Sequence, residues 1–176
     1  MVLGLVRLFH FNQCRFLQLM EKKPFNLDTV DRSILELLQK DSFQTTKEMA
    51  AKLNLTTTPV FERVKRLERE GFIAVYTALL NRKKVGFPML VFCNVSLKEH
   101  NRDFLIRFEQ QIVAIPEVLE CHHVTGAYDY LLKVVARDID DYQRFVKEKL
   151  AALENIGRVQ SYIVMTEVKN TTAVPV

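Results

Sequence analysis

The sequence predicts an α+β protein of two units, and three observations carry that reading. From Leu27 to Phe72 apolar residues recur at helical spacing behind recognisable helix starts, whereas from Val85 to Val168 strand-like alternation and helical patterns take turns. Charge divides near the same place: thirteen Lys and Arg stand against eight Asp and Glu from Lys22 to Gly86, but ten against twelve from Phe87 to Val176. A basic front joined to a mildly acidic rear is the distribution of a polyanion-binding module attached to a unit with another task. With 176 residues, 48% of them hydrophobic, the chain can bury two small cores.

The first 19 residues, "MVLGLVRLFHFNQCRFLQL", form an apolar leader broken by Arg7, His10, Gln13 and Arg15, with no small-residue cleavage site behind it. Residues 1–21 are read as an extension, disordered or untranslated, with Met20 as an alternative start; an amphipathic membrane-surface segment is the competing reading. Elsewhere no apolar run approaches the roughly 18 residues that a membrane span needs. Cys14, Cys93 and Cys121 lie far apart without metal-ligand spacing, which fits a reducing cytoplasm.

The front unit is placed at 22–76. Asp28 caps a first helix whose stripe is Val30, Ile34, Leu37 and Leu38, ending near Lys40. "TTKE", Thr45 to Glu48, has the form of a capping box, and Met49, Ala50 and Leu53 form the inner face of the helix it starts. Asn54 ends that helix. After a tight turn Thr58 is expected to cap a third helix with Pro59 at its first position. Turning 100° per residue, Val64, Leu67 and Gly71 fall within about 40° of Val60 and form the core stripe. Thr58, Glu62, Lys65, Arg66 and Arg69 fall opposite, with Phe61 and Arg63 on the flanks.

A short helix, a turn of about three residues and a longer helix opening on hydroxyl side chains make the helix-turn-helix pattern, so a winged or simple three-helix unit of that kind is predicted. In that geometry Thr57, Thr58, Phe61 and Glu62 face base edges, and Arg63, Lys65, Arg66 and Arg69 lie toward phosphates. The plainer alternative is a solvated face on which Glu62 forms ion pairs with Lys65, Arg66 and Arg69.

Residues 77–87 read as a linker, with "NRKK" a basic hinge that either touches a DNA backbone or is simply solvated. The rear unit, 88–170, opens on "VGFPMLVFCNVSL", where Met89, Val91, Cys93, Val95 and Leu97 alternate against Leu90, Phe92, Asn94 and Ser96. A helix follows with Phe104, Ile106, Phe108, Ile112 and Ile115 as its stripe. "VLECHHVTG" and "YDYLLKVVA" read as a hairpin turning at Gly126 and Ala127. "DIDDYQRFVKEKLAALENI" is a helix capped by Asp138 or Asp140, with Ile139, Tyr142, Phe145, Val146, Leu150 and Leu153 inward. "VQSYIVMTEV" closes as a strand, and 171–176 is a tail. The order βαββαβ is that of ferredoxin-like folds, with helices on one sheet face and the other face open. Cys93 and several Val and Leu residues are expected on that open face, inviting a second copy.

Catalytic and metal chemistry find little to stand on. There is no phosphate-cradling glycine loop and no nucleophile elbow. In "CHH" adjacent strand residues point to opposite faces, so His122 and His123 cannot chelate together and Cys121 with His123 offers two ligands at most. Asp138, Asp140 and Asp141 are explained by helix capping. No catalytic residue, metal or cofactor is expected.

The segments "LDTVDRSILELLQKD", "TTTPVFERVKRLEREGFI", "YTALLN", "VTGAYDYLLKV" and "YIVMTEVK" resemble, in the same order, those of the Lrp/AsnC or feast/famine transcriptional regulators. The resemblance runs from Leu27 to Lys169. It implies an N-terminal DNA-binding unit and a C-terminal RAM/AsnC-type unit that forms homodimers assembling into tetramers, octamers or larger rings. It also implies a small effector, usually an amino acid, at a pocket that includes the loop Thr125, Gly126, Ala127, Tyr128 and Asp129. Tyr162, Ile163 and Val164 match a last-strand segment tied to effector response. Two departures are visible: Ala127 stands where many leucine-type members carry an acidic residue, and the recognition helix differs at Thr57 and Val60. The expected function is a sequence-specific, effector-responsive DNA-binding regulator in the cytoplasm, with double-stranded DNA as partner and no membrane. The alternatives are an enzyme resembling sirohaem decarboxylases, to which only His122 and His123 point, and an architectural DNA binder without an effector.

Overall fold

A computed structural model describes residues 26–176, so the leader and the Met20 start lie outside the described residues. The chain forms two compact units. One holds the described residues up to Thr77 together with Thr172–Val176, and the other holds Ala78–Thr171.

The first unit contains three helices, α1 (Thr29–Lys40), α2 (Thr46–Leu53) and α3 (Thr57–Arg69). Asp28 caps α1 by accepting the Asp31 N–H at 2.8 Å, and Thr45 and Glu48 satisfy each other's backbone donors at the start of α2. Asn54 ends α2 with φ of 54°, the left-handed conformation that asparagine tolerates. The expected start of α3 is corrected: Thr56 is its cap position, so Pro59 is the third helical residue. The first-turn N–H groups have no helical partner, so proline fits at either place. Gly71 is also corrected. It lies beyond the helix end at φ of 80°, with its N–H donated to the Glu68 carbonyl and that of Phe72 to Leu67, a Schellman turn. Ile34, Leu35, Met49, Ala50, Val60, Val64 and Leu67 form the core, against which Leu27, Val30, Leu37, Leu38 and Leu53 pack. Beyond it, residues 74–80 have no ladder partner among the described residues. The tail returns here: Gln39 and Val174 exchange two hydrogen bonds at 3.0 and 2.7 Å, and Val176 packs against the same core.

The second unit contains β1 (Met89–Leu97), α4 (Arg102–Ile112), β2 (Val118–His123), β3 (Tyr130–Ala136), α5 (Ile139–Arg144, continued by a π-helical turn, Phe145–Leu150) and β4 (Ile156–Ile163). The sheet order is β2-β3-β1-β4 with every neighbour antiparallel, as the βαββαβ reading requires. Val91, Cys93, Val95 and Leu97 pack with Tyr130, Leu132, Val134, Phe108, Ile112, Tyr142, Phe145 and Leu150.

Four expectations are corrected here. Cys93 is fully buried beneath the helices, with the Tyr142 hydroxyl 3.5 Å from its sulfur, because it shares the parity of Val91 and Val95 and cannot reach the open face. On α4 the inward residue is Leu105 and Ile106 is exposed, since 105, 108 and 112 are the positions that share a helical face. Ile139, in the first turn of α5, is half exposed. The last strand begins at Ile156 and ends at Ile163, leaving Met165 and Val168 in solvent.

Candidate functional site

The helix pair α2 and α3, joined through Asn54, Leu55 and Thr56, presents the start of α3 outward. Thr57, Thr58, Phe61 and Glu62 are all exposed there, and Lys65 and Arg69 continue the face one and two turns on. The Lys65 ammonium lies 2.9 Å from Glu68 and 5.8 Å from the centre of the Phe61 ring. Arg69 lies 3.4 Å from Glu70. Glu62 takes part in none of the ion pairs expected of it among the described residues. Glu68 also accepts the Tyr76 hydroxyl at 3.1 Å; burial and that carboxylate push the Tyr76 hydroxyl up to about 12, while Lys65 holds Glu68 below its ordinary value.

Arg63 and Arg66 are occupied differently from the helical projection, which sets Arg66 opposite the core. Both turn toward α1 and converge on Asp31, whose side chain is 1% exposed. Arg66 donates to the two Asp31 oxygens at 2.8 and 2.9 Å; Arg63 donates to Asp31 at 2.7 Å and to Asp28 at 2.5 Å. Arg66 stands 120° from Val60, the nearest to the core of the residues placed opposite it, and its long side chain reaches back across the helix interface. The Asp31 N–H, and after it the Arg63 guanidinium, hold the Asp28 carboxyl below its ordinary value. Asp31 escaped sequence reading because its two arginines lie 32 and 35 residues away.

In the second unit, residues 124–129 join β2 to β3 and carry Thr125, Gly126, Ala127, Tyr128 and Asp129. Gly126 adopts φ of 120°, which L side chains rarely adopt, while the space around it is open; backbone conformation rather than close approach demands glycine there. The Asp129 carboxylate accepts the Leu97 N–H at 2.7 Å and lies 3.0 Å from His100 Nε2, so it ties the loop to the end of β1. The Tyr128 hydroxyl donates to Gln160, and the Arg158 guanidinium carbon sits 5.9 Å from the centre of its ring. His100, Arg158 and Gln160 were not expected at this loop, because they reach it from positions about 30 residues away in the sequence. Phe92 faces Tyr162 across the ladder, Val91 faces Ile163, and the Val164 N–H donates to Leu90 at 2.9 Å. Tyr162 and Ile163 are half exposed.

The "CHH" residues diverge. His123 stacks on Tyr130 with ring centres 4.8 Å apart, His122 pairs with Glu120 at 3.2 Å, and burial pushes the Cys121 thiol up to about 11. No group of three or more metal-ligating side chains occurs among the described residues. Among them, too, no helix is long and apolar enough to cross a membrane.

One unit shaped to enter a DNA groove and a second built around a βαββαβ sheet make this a two-module DNA-binding regulator. Comparison with known proteins places it more closely. Residues 27–74 match the family model for a winged helix-turn-helix DNA-binding domain, and residues 90–174 match that for the Lrp/AsnC ligand binding domain. The leucine-responsive regulatory protein of Escherichia coli K12 is 40% identical over 152 residues, covering 86% of this chain and 93% of that protein. A Neisseria meningitidis transcriptional regulator solved with L-methionine is 33% identical, with a TM-score of 0.82, covering 85% of this chain and 97% of that one. An AsnC family regulator from Agrobacterium tumefaciens is 38% identical, with a TM-score of 0.81 over the same shares. The chain belongs to the Lrp/AsnC family of transcriptional regulators.

Proposed function

We propose that this regulator binds DNA sequence-specifically through the exposed start of α3, and that an apolar amino acid bound at the 124–129 loop changes how its copies assemble and hence how tightly they hold DNA. The observation that carries the reading is the exposure of Thr57, Thr58, Phe61 and Glu62 together at the N-terminal end of the second helix of the motif. Lys65 and Arg69 supply phosphate contacts. Arg63 and Arg66, fixed on Asp31, set the pose of α3 and add to the local positive field.

The L-methionine bound by the Neisseria relative and the leucine response named for the E. coli relative support an amino-acid effector. A homodimer formed through the open sheet face is supported by Phe92 and Tyr162 on that face and by Leu79 and Leu80, which are 71% and 74% exposed. Dimers then associate into tetramers, octamers or larger rings, and effector binding shifts the balance among them, altering how many motifs engage one duplex. The protein acts in the cytoplasm by binding equilibria, without a catalytic step.

Sedimentation velocity and DNA titration, each with and without every one of the common L-amino acids, test this. At least one amino acid is expected to change both assembly mass and DNA affinity, the latter about fivefold or more. No response in either quantity to any of them overturns the effector part of the proposal.

A further inference from the structure

The function proposed above leaves the basic triplet Arg82, Lys83 and Lys84 without a task. From Gly71 to Lys98 the chain carries no Asp or Glu, and its four Lys and Arg there include this triplet. A stretch of one sign beside a mildly acidic unit attracts a polyanion if its cations are free and held in place.

Both conditions hold. The triplet sits in a closed turn, in which the Lys84 and Val85 N–H groups donate to the Asn81 carbonyl at 3.0 and 3.2 Å and the Phe87 N–H donates to the Arg82 carbonyl at 2.8 Å. The Asn81 side chain accepts the Lys84 N–H as well, at 3.3 Å. Arg82 is spent on the turn itself: its guanidinium donates to the carbonyls of Phe87 and Pro88 and pairs with Glu167. Lys83 and Lys84 are exposed and form no ion pair among the described residues. Arg137, also exposed, stands beside them, its guanidinium carbon 5.9 Å from the centre of the Phe87 ring. The acids facing this group are already engaged, Glu167 by Arg82 and Asp141 by Arg144 and the Arg137 backbone N–H. A flexible solvated hinge needs none of these bonds, whereas an ordered turn gives up little entropy when its lysines meet an anion.

We propose that Lys83 and Lys84, with Arg137 beside them, bind the phosphate backbone of the duplex that α3 holds. The choice of DNA rests on the α3 reading: residues 74–80 tether the turn to the first unit, so phosphates held there stay at high effective concentration around it. Such contacts carry no base information and add affinity and salt dependence alone.

Titration of the full chain against a labelled random-sequence duplex of about 60 base pairs, at salt from about 0.05 to 0.3 M, tests it. Lys83→Gln with Lys84→Gln is expected to lower the slope of log affinity against log salt by about 2 for each protomer engaged, about 1 per contact. Lys83→Arg with Lys84→Arg should keep the slope. Lys98→Gln with Lys147→Gln removes the same charge from exposed positions elsewhere in the second unit and should change it less than half as much. An equal fall in that control overturns the contact in favour of a general field, and a fall that accompanies a loss of assembly mass overturns it too. An unchanged slope in the linker variant, with Lys65→Ala and Arg69→Ala together lowering it, overturns the linker contact and leaves the α3 reading intact. The converse upholds the linker contact and overturns the phosphate role of α3, and no change in either overturns both. Lost binding to phosphatidylserine vesicles with an unchanged DNA slope assigns the turn to an anionic surface and overturns the proposal.

Discussion

Replacing Asp31 by alanine removes the carboxylate on which Arg63 and Arg66 converge, and the structure sets the size of the effect. Deleting one partner of a fully buried ion pair costs about 3–5 kcal/mol. Here Asp31 is buried but the arginine side chains are 27% and 35% exposed, so water recovers part of their solvation and the expected loss is about 2–3 kcal/mol. For a unit of this size each kcal/mol moves the melting temperature by about 4–8 °C, giving a drop of roughly 10–20 °C. Asp31 also belongs to the capping box of α1, so the single variant reports both roles. A double-mutant cycle with Arg66→Ala isolates the pair, and a coupling of about 1–2 kcal/mol is expected from chemical denaturation. Lys65→Ala, whose side chain is half exposed with a partner in its own helix, should leave stability within about 0.5 kcal/mol while weakening DNA binding. A coupling near zero, or a Lys65→Ala as destabilising as Arg66→Ala, refutes the assignment of Arg66 to the fold of the unit.

Three further outcomes are expected. Asp28, Glu48 and Glu68 are held below their ordinary values when folded, so each binds a proton less readily in the folded chain than in the unfolded one. Their contribution is complete above about pH 4 to 5 and drains below it, and melting curves followed from pH 7 downward should be level first and then fall; a rise on acidification contradicts the directions given. Gly157→Ala places a Cβ 3.0 Å from the Ser96 carbonyl oxygen, where β1 and β4 shift register, and should cost about 1–3 kcal/mol in denaturant unfolding, against no change if the strands part freely. Replacing Gln39 by alanine should lower the stability of the first unit by about 1 kcal/mol, deleting Thr172–Val176 should cost more because it also removes the packing of Val176, and the double variant should match the deletion alone, because both remove the same pair of hydrogen bonds.

Local chemistry was legible in the sequence where it acts within one turn or one strand. Asp28, the Thr45–Glu48 box, Asn54 and Asp138 end or start helices through contacts at most four residues away, and the alternation of β1 follows from the pleat alone. The start of α3 was misplaced by two residues because proline is harmless anywhere in a first turn. The expected stripe of α4 mixed positions two apart, which a helix sends to different faces, and so exchanged Ile106 for Leu105. At the candidate DNA face the exposed hydroxyls and Phe61 were readable from spacing. The fate of Arg63 and Arg66 was not, since a helical projection knows nothing of an acidic residue on another helix. The same holds for His100, which follows the end of β1, and for Gln160 of β4, which the fold brings to the 124–129 loop from distant positions.

The central claim, that the start of α3 reads DNA sequence, is tested most directly by selecting bound duplexes from a random library over several rounds at about 0.15 M salt, where purely electrostatic binding is weakened. The account predicts an enriched, roughly palindromic motif with half-sites spaced by about one helical turn or a multiple of it. Thr58→Ala should relax it at particular positions, and Lys65→Ala should weaken all sequences alike. A library that stays random, with little affinity left at that salt, contradicts it.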